Sequence, residues 1–282
     1  MSETWGKGSR NNSIGYGQGA NNATGWGKSH SLSNAGQTDI VGLTSVSISY
    51  PSNSLCADAS DPTPTITNNA GAGTFSSTSG LVFLDSGSNT SSSTGVVDVS
   101  ASTVGTYVIT YTDTDAETAT FTIAIHALPT VVVSVSAGTI CDGESTILTA
   151  SGAFSYVWND GNTDNPRTVS PTTTTTFTAT GTDSNGCTNT GTTTITVNAL
   201  PTVEISGTLT YCAGSTTTLT ATAGLSSYLW STGATTQAIT VSSAGSYTVT
   251  GTDSNGCSAT SSASTVTELP LDSATVTYSA SA

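Results

Sequence analysis

Five cysteines, two histidines and eighteen acidic residues carry most of the chemistry open to this 282-residue chain. The cysteines are Cys56, Cys141, Cys187, Cys212 and Cys257, and no two are spaced Cys-x-x-Cys. His30 and His126 lie in different regions, so no zinc set is expected. The acidic runs "DASD" (Asp58–Asp61) and "DTDAE" (Asp113–Glu117) hold the oxygen ligands calcium takes. Solvated acidic turns look the same, and the expectation is no metal. Ser and Asp are so frequent that a catalytic triad drawn among them has no meaning. No phosphate loop, dinucleotide fingerprint or thiol-redox motif occurs. The expectation is therefore no enzyme, no catalytic residue and no cofactor, with disulfide formation as the chemistry to explain.

The cysteines belong to an internal repeat. "GTDSNGC" occurs at Gly181–Cys187 and again at Gly251–Cys257. "ALPTV" at Ala127–Val131 recurs at Ala199–Val203, and "YVWNDG" at Tyr156–Gly161 matches "YLWSTG" at Tyr228–Gly233. Cys141 maps onto Cys212, and the four offsets are 70, 72, 72 and 71 residues. A divergent unit precedes these two, from near Val46 to near His126. It closes on "GTYVITYTDTDAETATFTIAI" (Gly105–Ile125).

The elements that carry these motifs read as strands. Charged residues make up 8% of the chain, which is rich in Thr, Ser, Ala and Val. No window holds a helical apolar period, and many short windows alternate apolar with polar, as in Ser246–Asp253. The reading is all-β, with each unit a sandwich of about seven strands. In the second unit the pattern predicts strands over Thr130–Ser136, Ser145–Ala150, Ser155–Trp158, Thr168–Ser170, Thr174–Asp183 and Thr188–Asn198. Trp158 and Trp230 sit where an immunoglobulin-like sandwich places its core tryptophan. Tyr247 sits where a tyrosine corner starts strand F, with Phe177 and Tyr107 as counterparts. All five are expected in cores.

Three pairings of the cysteines are open. Pairing within units joins Cys141 to Cys187 and Cys212 to Cys257. Against it, Cys141 lies before strand B and Cys187 after strand F, at opposite ends of a sandwich, whereas a disulfide needs Cα atoms within about 7 Å. Units stacked end to end would instead join Cys56 to Cys187 and Cys141 to Cys257, stiffening a rod and leaving Cys212 over. Buried free thiols in a reducing compartment are the third.

Residues 1–44 are of another kind. "NNSIGYGQGA" and "NNATGWGKSH" form a ten-residue tandem, with a relaxed copy upstream in "TWGKG". Gly and Asn are poor helix formers, and the segment holds no core of its own. Composition alone favours disorder, but regular Gly-flanked aromatics favour docking on a partner, through Trp5, Gly6, Ile14, Tyr16 and Trp26. Residues 1–44 carry three basic and two acidic groups, and residues 45–282 sixteen acids against Arg167 alone. An acidic body excludes nucleic-acid binding by counterion release. The first 30 residues lack the apolar core of a secretory signal, and no stretch of about 18 apolar residues is present, so neither export nor a membrane span is expected.

The last two units resemble tandem Ig-like or PKD-like repeats of large bacterial surface adhesins. The resemblance is carried by "TICDGESTILTASGAFSYVWNDG", "TTTFTATGTDSNGC" and their partners from Tyr211 to Cys257. Unit one resembles the same repeats but lacks the second cysteine. Residues 1–44 are similar to N-terminal segments of tailed-bacteriophage virion proteins. Together these imply a phage head fibre or capsid decoration protein, on the virion surface and assembled in host cytoplasm. Its parts would be an extended virion-anchoring segment (1–44), Ig-like domains at 45–127, 128–199 and 200–270, and a C-terminal strand or tail (271–282). The implied partners are the major capsid protein or another virion protein and a weak glycan ligand; a trimer is expected separately, because an extended glycine-rich segment often needs neighbouring chains to order it. A secreted bacterial adhesin fragment is the alternative, and an accessory carbohydrate-binding region of an enzyme ranks after it.

Overall fold

The computed structural model describes residues 45–68 and 71–271. The described residues form strands and no helix. The described residues divide into two compact units, one ending at Ile125 and the other beginning at His126. The first holds one hydrophobic core and the second holds two. We call the three bodies sandwiches 1, 2 and 3. The predicted anchor residues Trp5, Gly6, Ile14, Tyr16 and Trp26 lie outside the described residues, as does the C-terminal segment after Leu271.

Sandwich 1 runs β1 (Ser47–Ser49), β2 (Ser54–Cys56), β3 (Thr65–Thr67), β4 (Thr74–Ser77), β5 (Val82–Phe83), β6 (Val97–Asp98), β7 (Gly105–Thr112) and β8 (Thr118–His126). Its main sheet has the order β2-β8-β7-β4. The period-two pattern of β7 turns Tyr107, Ile109 and Tyr111 inward and leaves Thr106 and Val108 outside. Phe75 and Tyr111 pack at 4.8 Å between ring centroids in this core.

Sandwich 2 runs β9 (Val132–Val135), β10 (Thr139–Cys141), β11 (Thr146–Ser151), β12 (Ser155–Trp158), β13 (Arg167–Val169), β14 (Thr175–Thr182) and β15 (Thr188–Asn198). One sheet has the order β13-β11-β9, and the other β10-β15-β14-β12. This is the immunoglobulin arrangement, with its first strand split. The first half (β9) pairs with strand B (β11), and the second half (β10) crosses to lie parallel on strand G (β15), which follows strand F (β14). Strands β12 and β15 match the predicted spans, and the other predicted strands differ by one or two residues at their ends. Strand β10 is new. Its three residues pair in parallel with a strand more than fifty residues away, which leaves no local alternation to read.

Sandwich 3 repeats this frame as β16 (Ile205–Gly207), β17 (Thr210–Cys212), β18 (Thr217–Ala221), β19 (Ser227–Trp230), β20 (Ala238–Val241), β21 (Gly245–Tyr247), β22 (Val249–Thr252), β23 (Ser258–Thr260) and β24 (Ser264–Leu269). Strands F and G are each broken in two here. Buried Ser261 spans the break: its hydroxyl accepts the Val249 N–H (3.1 Å) and its own N–H reaches the Val249 carbonyl (2.9 Å).

Two of the repeated motifs meet in space. A Cβ on Gly181 would run into Val131, and one on Gly251 into Val203. Each "ALPTV" segment thus lays its valine over the glycine that opens "GTDSNGC". That close approach explains why the two motifs recur together.

Candidate functional site

The turn between strands F and G is the same device three times. Asp113 Oδ1 accepts the N–H groups of Asp115 and Glu117 at 2.9 and 2.8 Å. Asp183 takes those of Asn185 and Cys187 at 2.8 and 2.9 Å, and Asp253 those of Asn255 and Cys257 at 2.8 and 2.9 Å. One carboxylate thereby satisfies two backbone donors that the turn would otherwise leave open. The turn also needs a left-handed residue before its last position. Gly186 (φ 87°) and Gly256 (φ 85°) supply it, and sandwich 1 uses Ala116 (φ 63°). In "DTDAE" the Asp113 carboxylate is therefore a turn lock, and in "DASD" Asp61 Oδ1 holds the Val99 N–H at 2.9 Å. Among the described residues, no three His, Cys, Asp or Glu side chains converge as a metal site would require.

A second turn recurs where the split first strand enters strand B. Cys56, Cys141 and Cys212 end β2, β10 and β17. The carbonyl of each accepts an N–H three residues on, from Ala59 (2.9 Å), Glu144 (3.0 Å) and Ser215 (2.9 Å). Cys141 is bonded to Cys257, with Cα atoms 5.6 Å apart across a sequence separation of 116 residues. The bond ties the β10 end of sandwich 2 to the F–G turn of sandwich 3. Pairing within units is overturned. Cys187 precedes β15, and Cys141 lies beside Asn198 at the far end of that strand. Eleven residues of strand hold them roughly 35 Å apart. The buried-free-thiol reading fails too, because Cys212 is free but exposed. Neither Cys56 nor Cys187 is free.

The five aromatics lie in the cores. Trp158 and Trp230 are each 2% exposed, and their indole N–H groups donate to the carbonyls of Asp164 (2.9 Å) and Thr236 (2.8 Å). Tyr107 and Tyr247 send their hydroxyls back to the carbonyls of Thr103 (2.6 Å) and Ser243 (2.7 Å), both four residues upstream. Phe177 has no hydroxyl to send. Arg167 packs there instead, 5.8 Å from the Phe177 ring centroid and 5.5 Å from that of Trp158. Its guanidinium forms a two-point pair with Asp160 at 2.8 and 2.7 Å. The hydrogen bond from Arg167 chiefly holds the Asp160 carboxyl down at about 2. Sequence reasoning missed this group, although the lone basic residue of an acidic body was a signal for it. It also missed Phe154, which is 82% exposed. An open depression of 520 Å³ beside Arg167, Ser170, Pro171 and Phe177 is shallow, with four threonines among its nine lining residues.

No protein-family model matches the chain, and no curated protein matches it. Among solved structures, the chain is similar to a Bacteroides ovatus mixed-linkage glucan utilization protein, SGBP-B, seen with a heptasaccharide. Identity is 18% and the TM-score 0.19, over 77% of this chain and 65% of that one, so it spans just under two thirds of that protein's length. It is similar to part of a 1.5-MDa bacterial ice-binding adhesin (15% identity, TM-score 0.28, 79% of this chain and 96% of that one). It is also similar to a C-terminal intimin fragment bound to the intimin-binding domain of its translocated receptor (16%, 0.34, 57% and 65%). The Ig-like assignment rests on the strand order given above.

Proposed function

We propose that this chain is a non-enzymatic display protein of a bacteriophage virion. Residues 1–44 hold it to the major capsid protein or another virion protein. Three Ig-like sandwiches present a surface for weak adhesion to host-surface or mucosal glycans. Many copies, grouped as trimers, turn weak contacts into avidity. The observation that carries the display reading is the Cys141–Cys257 bond. A covalent tie between successive sandwiches restrains their separation and orientation, which serves a projecting surface more than a hinge. The proposed Cys56–Cys187 bridge would extend the same device. The aromatics of the sandwiches lie largely in cores, and Phe154 is the described aromatic best exposed to stack on a sugar ring. The anchor reading is supported by the decapeptide tandem around Tyr16 and Trp26.

The disulfide favours one other reading, a secreted bacterial surface adhesin, because such bonds persist outside the reducing cytoplasm. On the virion reading the bond closes after lysis. Assembling particles with a chain lacking residues 1–44 separates the two. The virion reading expects the truncated chain to be lost from purified particles while the full chain co-purifies. Retention of the truncated chain, or fractionation of the full chain with the envelope of uninfected cells, overturns it.

A further inference from the structure

Cys212 repeats the backbone setting of Cys141. Strand β17 lies parallel on β24 with Cys212 opposite Leu269, as β10 lies on β15 with Cys141 opposite Asn198. The next N–H bonds the partner strand's carbonyl at 2.9 Å in both, from Ala213 to Leu269 and from Asp142 to Asn198. The turn then closes through the cysteine carbonyl in both. One difference is that the Glu144 carboxylate accepts the Cys141 N–H at 2.9 Å, where sandwich 3 has Ser215; the other is the sulfur. Cys141 is bonded to the F–G-turn cysteine of the following sandwich, whereas Cys212 is free and exposed.

We propose that Cys212 is the open half of an inter-sandwich bridge, and that the end of sandwich 3 around it receives the F–G-turn cysteine of a further Ig-like sandwich. The bonded copy, Cys141, shows which ligand this position takes. The three described sandwiches cannot supply that partner. Cys257 is bonded to Cys141, Cys187 is not free, and sandwich 1 carries Glu117 at the matching place. The partner thiol therefore comes from another sandwich of the same type.

The bond forms by thiol–disulfide exchange with a small-molecule disulfide such as oxidised glutathione. The Cys212 thiolate attacks that disulfide, forms a mixed disulfide and releases one thiolate. The F–G-turn thiolate then attacks the Cys212 sulfur and releases the second. Two cysteines are oxidised, one small disulfide is reduced, and the cysteine protons pass to the two released thiolates.

The chain can be made its own probe. Asp113 holds the Glu117 N–H as Asp253 holds that of Cys257. Glu117→Cys therefore puts a thiol in an authentic F–G turn, and adding Ala116→Gly restores the full Gly-Cys turn should the single variant fold poorly. The full-length variants are incubated in a glutathione redox buffer beside Thr122→Cys, which places a thiol on the exposed face of β8. The expected result is covalent head-to-tail multimers at a rate about tenfold or more above the Thr122→Cys control. The linked peptide should join Cys212 to the new turn cysteine, and Cys212→Ser should abolish the multimers. Equal rates for turn and control, or a Cys212–Cys212 link as the main product, would overturn the proposal.

Discussion

Sandwiches 2 and 3 share one frame and close one corner by different chemistry. In sandwich 3 the Tyr247 hydroxyl bonds the Ser243 carbonyl, and buried Ile239 sits opposite Leu219 on the next strand. In sandwich 2 those positions are Phe177 and Arg167, and Arg167 sits opposite Leu148. The lost hydroxyl and the gained cation go together. The arginine stem covers two aromatic rings while its head reaches Asp160 at the surface. Asp160 has Thr232 as its counterpart, so sandwich 3 could not have neutralised such a cation. A position inside a repeat thus tolerates a charge where the same sandwich supplies its partner.

Removing what the two sandwiches share should have the largest effect. Trp158→Ala and Trp230→Ala should each cost about 3–5 kcal/mol, with similar losses in urea denaturation. A large inequality would mean that the Arg167 cluster holds its corner without the indole. Cys141→Ser removes the tie between the sandwiches. It should cost about 2–4 kcal/mol and separate one cooperative transition into two, as read by calorimetry.

The F–G turn gives a smaller, signed test. Gly186→Ala should cost about 1 kcal/mol, because a left-handed alanine is strained. Ala116→Gly should stabilise sandwich 1 by about the same amount, measured as a shift in urea midpoint.

The smallest effect is pH-dependent. Asp160 titrates at about 2 in the fold, below an ordinary carboxyl. Its pairing therefore contributes stability above about pH 4, lost as pH falls toward 2. Asp160 is half exposed, with 48% of its side chain accessible, so the contribution is at most about 1 kcal/mol. Asp160→Asn should lower stability at pH 7 and do so much less at pH 2, where the carboxyl is about half protonated. No such change is expected from Thr232→Ala in sandwich 3.

Much of this architecture was legible in the sequence because it is repeated. Two copies of "GTDSNGC" marked the F–G turns, and strand alternation marked β12 and β15. The opposite-end argument against a Cys141–Cys187 bond needed only strand order and rise. What escaped was non-local. Strand β10 is recognisable only beside β15. Arg167 stood out only as the lone basic residue of an acidic body, because the rings it covers, Trp158 and Phe177, lie on other strands. Ala116 gave no sign of a left-handed backbone, since the locking contact comes from Asp113.

The central claim is that a covalent tie runs between successive sandwiches. Peptide mapping of the non-reduced full chain tests it most directly. The account predicts a linked peptide joining Cys141 to Cys257, with Cys212 recovered as a free thiol. A linked peptide joining Cys141 to Cys187, or Cys212 to Cys257, would contradict it.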